Sequence, residues 1–334
     1  KRPLVFTATS GSTGDPFYFS RDNRLDWESS IAHELFLQND SFSKSSEPTL
    51  VIVAFGMGVW IGGLITYKAF ELASYRGYPI SIFTPGINKI EILNALKKLS
   101  PHFKRTILAG YPPFLKDILD EAVSDGINLK KLNLRLIFAA EAFTEKFRDY
   151  VVNKAGVKNP YLDTMNIYGT ADIGTMAYET PASILMRRLI VKGKSIFNNF
   201  FPDIGKTPTL AQYNPFFINF EAVDGEIVLT GDNTVPLIRY KIGDNGGVFD
   251  FNEAIERLKE YGIDFNKQAV SAGLTKYISQ LPLVYVYERR DFSTTLYGLQ
   301  IYPEIIREAL LDKKLAGFLT GKLTMMTKYD SHQN

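Results

Sequence analysis

The sequence predicts an α/β fold in which a mixed or largely parallel sheet is covered by helices. Strand and helix signals alternate between about residues 49 and 155, and short strands separated by Pro and Gly follow from 197 to 247. A last unit, beginning near Leu283, predicts the start of a small, mobile α+β domain. The 334 residues, 45% of them hydrophobic, suffice for a large core and suggest about two domains.

The alternating region is the reason for predicting a parallel sheet. Apolar runs predict strands at 49–55, 79–83, 105–109 and 134–138. The intervening segments predict helices at 59–76, 88–99, 113–124 and 144–155, the last capped by Thr144. Gly110, Glu141 and Tyr168 each follow a predicted strand, so we expect them to meet at the carboxyl edge of the sheet, where such sheets bind ligands.

The later elements are shorter and suggest a small antiparallel or barrel-like β region before the last unit. They are strands at 225–230, 236–240 and 322–327 and helices at 252–261 and 303–311. We therefore place a domain boundary near Asp291, between a large domain at 1–290 and the beginning of a small domain at 291–334.

Composition excludes several classes of protein. The 38 basic and 36 acidic residues give a net charge of +2 without a basic run, which argues against nucleic acid as a partner. Cysteine is absent, so a disulfide framework, a Cys-based zinc site and a thiol nucleophile are excluded. The longest apolar stretch, 51–69, is broken by glycines, so we expect no membrane span and a soluble, cytoplasmic protein. The sequence leaves open whether the protein forms a homodimer.

A loop near the start of the chain has the composition of a phosphate-binding loop. It places Ser10, Gly11, Ser12, Thr13 and Gly14 directly after an apolar run. Glycines let the backbone approach closely, and successive N–H groups with hydroxyls form an anion nest. The loop lacks the Gly-Lys-Ser/Thr of a Walker A loop, and an ordinary surface loop is the alternative.

Four segments in sequence order together resemble the adenylate-forming superfamily, and within it the phenylacetate–CoA ligase family. They are Thr9–Pro16, Asn166–Asp172, Arg239–Asp244, and Glu288–Asp291 followed by Leu296–Pro303. The resemblance covers nearly the whole chain and implies the adenylate-forming fold. It also implies that ATP activates a carboxylic acid as an acyl-adenylate, with release of pyrophosphate, before transfer to coenzyme A.

The resemblance assigns the nucleotide contacts. Ser10 to Gly14 would hold the β- and γ-phosphates, Tyr168 and Gly169 would pack on adenine, and Ala140 and Glu141 would line it. Asp244 would accept both ribose hydroxyls and Arg289 would lie near the ribose. The structural alternatives are a core tyrosine at 168, a helix N-terminal residue at 141, an Asp-Asn-Gly turn at 243–246 and a solvated basic pair at 289–290.

The resemblance also assigns the catalytic residues. Asp172 would bind Mg²⁺ in place of the usual Glu, and Asp291 would be the hinge of the small domain. Ala171 stands where a hydroxyl is usual, and Thr170, one residue earlier, is the hydroxyl that would replace it. Asp15 and Phe17 occupy positions where lysines often occur. The chain looks shortened at both ends, so the catalytic lysine would lie beyond Asn334.

The segments expected around the acid are rich in large apolar side chains, which favours an aryl or otherwise apolar substrate. These residues are Phe55, Met57, Trp60, Tyr111 and Phe114. The three histidines, His33, His102 and His332, lack spaced partners and are expected to have ordinary surface or core roles.

Four hypotheses follow. The first is an acid–CoA ligase, and the second keeps the adenylate but passes it to a carrier protein, an amine or a biosynthetic intermediate. The third, favoured by Ala171, is a nucleotide-binding relative without turnover. The fourth is an α/β protein whose motifs match by chance.

Overall fold

The computed structural model of the chain describes residues 4–8, 15, 17–41, 47–58, 61–202, 206–232, 234–287, 294–296 and 299–301, with isolated positions between 306 and 319. The helices are α1 (Asn23–Gln38), α2 (Ile61–Tyr75), α3 (Lys89–Asn94), α4 (Pro112–Ser124), α5 (Glu145–Ala155), α6 (Pro181–Ile190), α7 (Lys194–Phe200), α8 (Phe251–Glu260) and α9 (Phe265–Ser271). The strands are β1 (Val5–Ala8), β2 (Tyr18–Arg21), β3 (Thr49–Ala54), β4 (Ile80–Phe83), β5 (Arg105–Gly110), β6 (Leu134–Ala139), β7 (Thr164–Thr170), β8 (Gly174–Tyr178), β9 (Thr209–Gln212), β10 (Ile218–Val223), β11 (Glu226–Gly231), β12 (Leu237–Phe249), β13 (Leu283–Val286), β14 (Thr294–Leu296) and β15 (Leu299–Ile301).

The predicted alternation of strands and helices from β3 to α5 is confirmed within a few residues. The start signals act as expected, because Pro112 opens α4 and the Thr144 hydroxyl accepts the Phe147 N–H at the start of α5. The predicted helix at 88–99 begins as α3 and continues through a π-helical turn, Ala95–Leu99.

Helix α1 is not among the predicted elements. Its buried face includes polar residues as well as apolar ones, among them Asp26, Glu28, Ser29, Ser30 and His33. A search for apolar periodicity does not register such a face, because periodicity measures hydrophobicity and not burial.

Within the described residues, one mixed sheet of 11 strands has the order β10-β11-β12-β13-β9-β8-β7-β6-β5-β3-β4. The run from β4 to β7 is parallel, and pairing turns antiparallel between β7 and β8. The direction of the strands therefore changes beside β7, the strand that carries Tyr168.

Helices cover both faces of the parallel strands. Val51, Val53 and Phe55 pack in one cluster with Phe36 of α1 and Phe70 of α2. The alternate residues Leu50, Ile52 and Ala54 pack against α3, α4 and α5 in another. Strand β3 is buried along its whole length, which explains why its sequence is a continuous apolar run.

The predicted small β region is antiparallel and continuous with the main sheet, so it is not a separate barrel. Strand β12 pairs with β11 near Tyr240 and with β13 from Gly246 to Phe249, so one strand belongs to both parts. The predicted boundary near Asp291 and the strand at 322–327 lie outside the described residues, as does most of the helix at 303–311. None of the described helices combines the length and apolarity that crossing a bilayer requires.

Candidate functional site

The carboxyl ends of the parallel strands lie level with one another. Ala54 pairs with Gly110, Gly110 with Phe138, and Ala139 with Ile167. The residues that follow these ladders therefore meet at one edge of the sheet, and they are Phe55, Tyr111, Ala140, Glu141 and Tyr168. The sequence predicts this for Glu141 and Tyr168, whereas Gly110 is the last residue of β5 and does not follow it.

Tyr168 and Asp244 form the centre of the candidate site. The Tyr168 hydroxyl donates to Asp244 Oδ2 at 2.7 Å, although the two residues are far apart in sequence. Asp244 is 5% exposed, and the half-buried Tyr168 ring lies 6.2 Å from the Phe220 ring at an interplanar angle of 27°. Asp244 lies inside β12, so the alternative of an Asp-Asn-Gly turn is wrong.

A second Tyr–Asp pair joins β12 to the turn between β7 and β8. The Tyr240 hydroxyl donates to Asp172 Oδ1 at 2.9 Å, and Oδ2 of Asp172 has no partner among the described residues. The carbonyl of Ala171 accepts from the Thr7 hydroxyl at 3.3 Å. This contact places the end of β1, which leads into the predicted phosphate loop, beside Asp172.

The predicted replacement hydroxyl has a different neighbour. Thr170 Oγ1 lies 3.9 Å from the sulfur of Met176, a weak contact. Gly169 is exposed, and a Cβ atom there would lie 2.5 Å from the carbonyl oxygen of Gly174. A glycine is therefore required for β7 and β8 to approach at this point.

The loop that follows β6 has an unusual backbone. Ala140 is exposed and has a φ of +75°, in the left-handed region that non-glycine residues seldom adopt. Half-buried Glu141 follows it, and the Glu141 carbonyl accepts from the Asn166 side-chain amide at 3.3 Å. Helix α5 begins at Glu145, so Glu141 precedes the helix and is not its first residue.

A buried network of charged side chains, which was not predicted from the sequence, holds the loop that follows β6 in place. Arg148 donates to both oxygens of Glu179 at 2.7 and 2.8 Å, and Arg187 donates to Glu179 Oε1 at 3.1 Å. Glu179 Oε2 accepts the Asn166 N–H at 2.9 Å, and Arg187 also donates to the Phe143 carbonyl. The loop and the start of β7 are thus attached to one carboxylate.

The electrostatics of this network are those of paired charges. Burial alone would raise the pKa of Glu145, but Arg148, Arg187 and Arg188 hold it below its ordinary value. Burial alone would lower the pKa of Arg148, but Glu145 and Glu179 raise it. The sequence contains one signal of this network, since Arg187 interrupts the apolar run of α6 and is fully buried.

The remaining predicted residues either fall outside the described part of the chain or lie away from this site. Ser10, Gly11, Ser12, Thr13, Gly14, Trp60, Arg289, Asp291 and His332 are outside the described residues. Arg239 is directed away from the site, with a 63% exposed side chain paired to Glu221. Phe114 packs with α3, α4 and α5, on the face of the sheet opposite to Phe55 and Tyr111, so its expected place beside them is wrong. His33 is a core residue and His102 is exposed.

The described part of the chain contains no group of three His, Asp or Glu side chains that could hold a metal ion. Asp172 is therefore a single carboxylate. Mg²⁺ is often held by one or two carboxylates together with substrate phosphates, and the unpartnered Oδ2 of Asp172 suits that arrangement.

Comparison with solved structures identifies the fold. The chain is similar to 2-hydroxyisobutyryl-CoA ligase in the postadenylation state in complex with 2-HIB-AMP, at 17% identity and a TM-score of 0.58 over 92% of this chain and 56% of that one. An open conformation of that ligase in complex with 2-HIB-AMP and CoA gives 17% identity and a TM-score of 0.56 over 92% and 62%. McyG A-PCP complexed with phenylalanyl-adenylate gives 12% and 0.53 over 92% and 51%.

These likenesses show that the chain has the α/β fold of adenylate-forming enzymes. No family model and no curated protein matches the sequence. The chain spans about half to three fifths of the length of these solved structures.

Proposed function

We propose that the protein activates a carboxylic acid with ATP and transfers the acyl group to coenzyme A. A carboxylate oxygen attacks the α-phosphorus of ATP, the bond to pyrophosphate breaks, and an acyl-adenylate forms. The thiol of coenzyme A then attacks the acyl carbon, loses its proton and displaces AMP. Both steps depend on positioning and on electrostatic stabilisation more than on covalent catalysis by the protein.

The hydrogen bond between Tyr168 and Asp244 is the observation that carries the proposal. It joins an aromatic ring and a carboxylate at the carboxyl edge of the sheet, beside the strand where parallel pairing ends. Open α/β sheets bind nucleotides at such points. The Tyr168 ring would support adenine beside Ala140 and Glu141, and the two oxygens of Asp244 would accept the ribose diol.

The phosphates would extend from this pair toward Asp172. Thr7 and Ala171 join the end of β1 to the turn that carries Asp172, so Ser10 to Gly14 would begin next to it. Mg²⁺ held by Asp172 would supply charge neutralisation at the phosphates. The hydrogen bond from Tyr240 would keep the Asp172 carboxylate oriented toward them. Thr170 would supply the hydroxyl that Ala171 lacks, Arg289 would lie near the ribose, and Asp291 would be the hinge of the small domain, as the sequence motifs imply.

Coenzyme A is the proposed acceptor, and a carrier protein is the alternative. A solved relative in complex with 2-HIB-AMP and CoA supports the first, and a relative named as an A-PCP protein supports the second. The phenylacetate–CoA ligase-like assignment and the apolar or aryl acid rest on the sequence motifs and on Phe55, Met57 and Tyr111. These residues follow β3 and β5, next to the proposed adenine contacts.

Acid-dependent exchange of labelled pyrophosphate into ATP tests the proposal. The full-length protein is assayed with a panel of aryl, aliphatic and hydroxy acids, next to Asp244→Asn and the matched control Asp224→Asn. Asp224 is exposed, lies in the tight turn between β10 and β11 and has a positive φ that Asn tolerates. We expect Asp244→Asn to weaken ATP binding at least about tenfold, since a hydrogen bond to a charged group is lost.

Exchange with one class of acid would establish adenylation and identify the substrate class. If the protein binds ATP but exchanges pyrophosphate with none of the acids, the enzyme hypothesis is rejected in favour of a nucleotide-binding relative without turnover. Unchanged ATP binding by Asp244→Asn would overturn the proposed nucleotide site itself.

A further inference from the structure

The carboxyl edge of the sheet continues beyond the nucleotide site toward β5 and β3. Because Ala54, Gly110 and Phe138 pair in one ladder, Tyr111 leaves β5 level with Phe55 of the neighbouring strand. Two strand spacings, roughly 10 Å, separate Tyr111 from the level of Tyr168. An acid bound beside a nucleoside at Tyr168 would therefore lie against Tyr111.

The Tyr111 side chain is fixed from two sides. Its ring packs edge-on against Phe55, with centroids 5.0 Å apart and an interplanar angle of 86°. Its hydroxyl oxygen lies near the backbone N–H of Gly56. Burial raises the pKa of Tyr111, Gly56 opposes this rise, and the charge of Glu141 adds to it. The phenol is therefore protonated at neutral pH and lies between the end of β3 and the Glu141 loop.

Beside Tyr111, the segment from Phe55 to Met57 forms an apolar wall that the Tyr111 ring contacts through Phe55. Phe55 is buried and Met57 is 37% exposed. Gly63 of α2 has no Cβ because that atom would lie 2.5 Å from the Gly56 carbonyl oxygen and 2.6 Å from the Met57 sulfur. The segment from Phe55 to Met57 is therefore held in place, and Tyr111 supplies the side-chain hydrogen-bond donor of this wall. No described residue accepts the proton of the Tyr111 hydroxyl.

We propose that Tyr111 determines which acid is accepted, by donating a hydrogen bond to a hydroxyl or keto oxygen on the acyl chain. This specificity rests on the acid activation proposed above and refines it. The acyl chain would be apolar, to match Phe55 and Met57, and would carry one oxygen within reach of Tyr111. A deoxy analogue would leave a partly buried donor without a partner, which disfavours its binding.

Matched pairs of acids provide the test. Pyrophosphate exchange by the full-length protein is compared for hydroxy or keto acids and their deoxy analogues, in the unsubstituted protein, Tyr111→Phe and the control Tyr75→Phe. Tyr75 is 76% exposed and lies at the far end of α2. We expect the unsubstituted protein and Tyr75→Phe to prefer the oxygenated acid about tenfold or more. Tyr111→Phe should lose this preference, because exchange slows far more with the oxygenated acid than with its deoxy analogue.

An unchanged preference in Tyr111→Phe, or a preference of the unsubstituted protein for deoxy acids, would overturn the assignment. Calorimetry of the same acids binding to the protein in the presence of AMP tests the specificity of Tyr111 separately from acid activation. If binding shows a preference that depends on Tyr111 but no acid supports exchange, the proposed specificity is supported and the proposed acid activation is rejected. Absence of both exchange and a preference in binding would reject both.

Discussion

At the scale of single residues, the centre of the candidate site depends on two hydrogen bonds between residues that are far apart in the sequence. Tyr168 and Asp244 were predicted from separate motifs, and only the folded chain shows the hydrogen bond between them. Tyr240 was noted as part of a motif, but its contact with Asp172 depends on the approach of β12 to the turn after β7. Long-range partners of this kind leave no local pattern in a single sequence.

His33 should make stability depend on pH. It is fully buried, it donates through Nδ1 to the Ser29 carbonyl, and burial lowers its pKa from 6.5 to about 4. The unfolded chain therefore binds the proton more tightly, so stability is complete above pH 6.5 and falls as the pH drops toward 4. Between pH 7.5 and 5 the contribution of His33 should decrease by about 2 kcal/mol.

Urea unfolding at the two pH values measures this effect, with His33→Leu and the exposed control His102→Gln. His33→Leu should lose less stability on acidification than the unsubstituted protein, whereas His102→Gln should not differ from it. Equal losses in all three proteins would show that His33 is not the group responsible.

At the scale of secondary-structure elements, the sequence predicted the elements with an apolar pattern and missed those that bury polar residues. Strand β3 is a continuous apolar run and was found, but α1 buries Asp26 and His33 and was not. The same reason hides the network of Arg148, Glu179 and Arg187, since charged residues are expected on the surface unless their partners are known.

Two adjacent glycines of α2 should respond oppositely to substitution by alanine. A Cβ at Gly62 would contact the Phe55 ring at 3.7 Å, whereas a Cβ at Gly63 would lie 2.5 Å from the Gly56 carbonyl oxygen. Gly62→Ala should stabilise the protein by about 0.4–1 kcal/mol, because the unfolded chain loses freedom. Gly63→Ala should destabilise it by about 1–3 kcal/mol through overpacking. Denaturant unfolding measures both, and equal effects would contradict the geometry.

Removing Arg187 should be far more costly than removing a surface cation. Arg187→Gln leaves Glu179 and Glu145 buried with fewer partners and releases the Phe143 carbonyl, so a loss of about 3–5 kcal/mol is expected. Lys259→Gln removes an exposed pair with Glu256 and should cost less than about 0.5 kcal/mol. Chemical denaturation of both variants provides the comparison, and similar losses would mean that the buried network contributes little.

At the scale of the whole molecule, the sequence predicted the parallel half of the sheet better than its continuation. The β-α alternation determines neighbours in the parallel part, but nothing local indicates that β12 joins β11 to β13. The domain boundary, the hinge at Asp291 and the phosphate loop stay predictions, since those residues lie outside the described part of the chain.

The rate of amide hydrogen exchange should depend on the position of each strand in its sheet. Strands β3 and β5 are buried throughout and have neighbours on both sides, so their amides should exchange slowest. The β1–β2 hairpin is a separate pair with exposed Phe6 and Tyr18, and it should exchange much faster. Mass spectrometry of peptide fragments resolves the two regions, and equal protection of the hairpin would contradict this order.

The length of β12 restricts how the chain can be divided. Its 13 residues supply partners to β11 at one end and to β13 at the other. A break within it would give each fragment an unpaired strand end, and the two would have to reassemble edge to edge. A break between α7 and β9 would interrupt no strand, and only the short β8–β9 ladder, the pair Tyr178 and Gln212, would have to re-form between the fragments. Split versions of the protein intended to report on nucleotide binding should therefore be divided there, with Asp244 and the whole of β12 on one fragment.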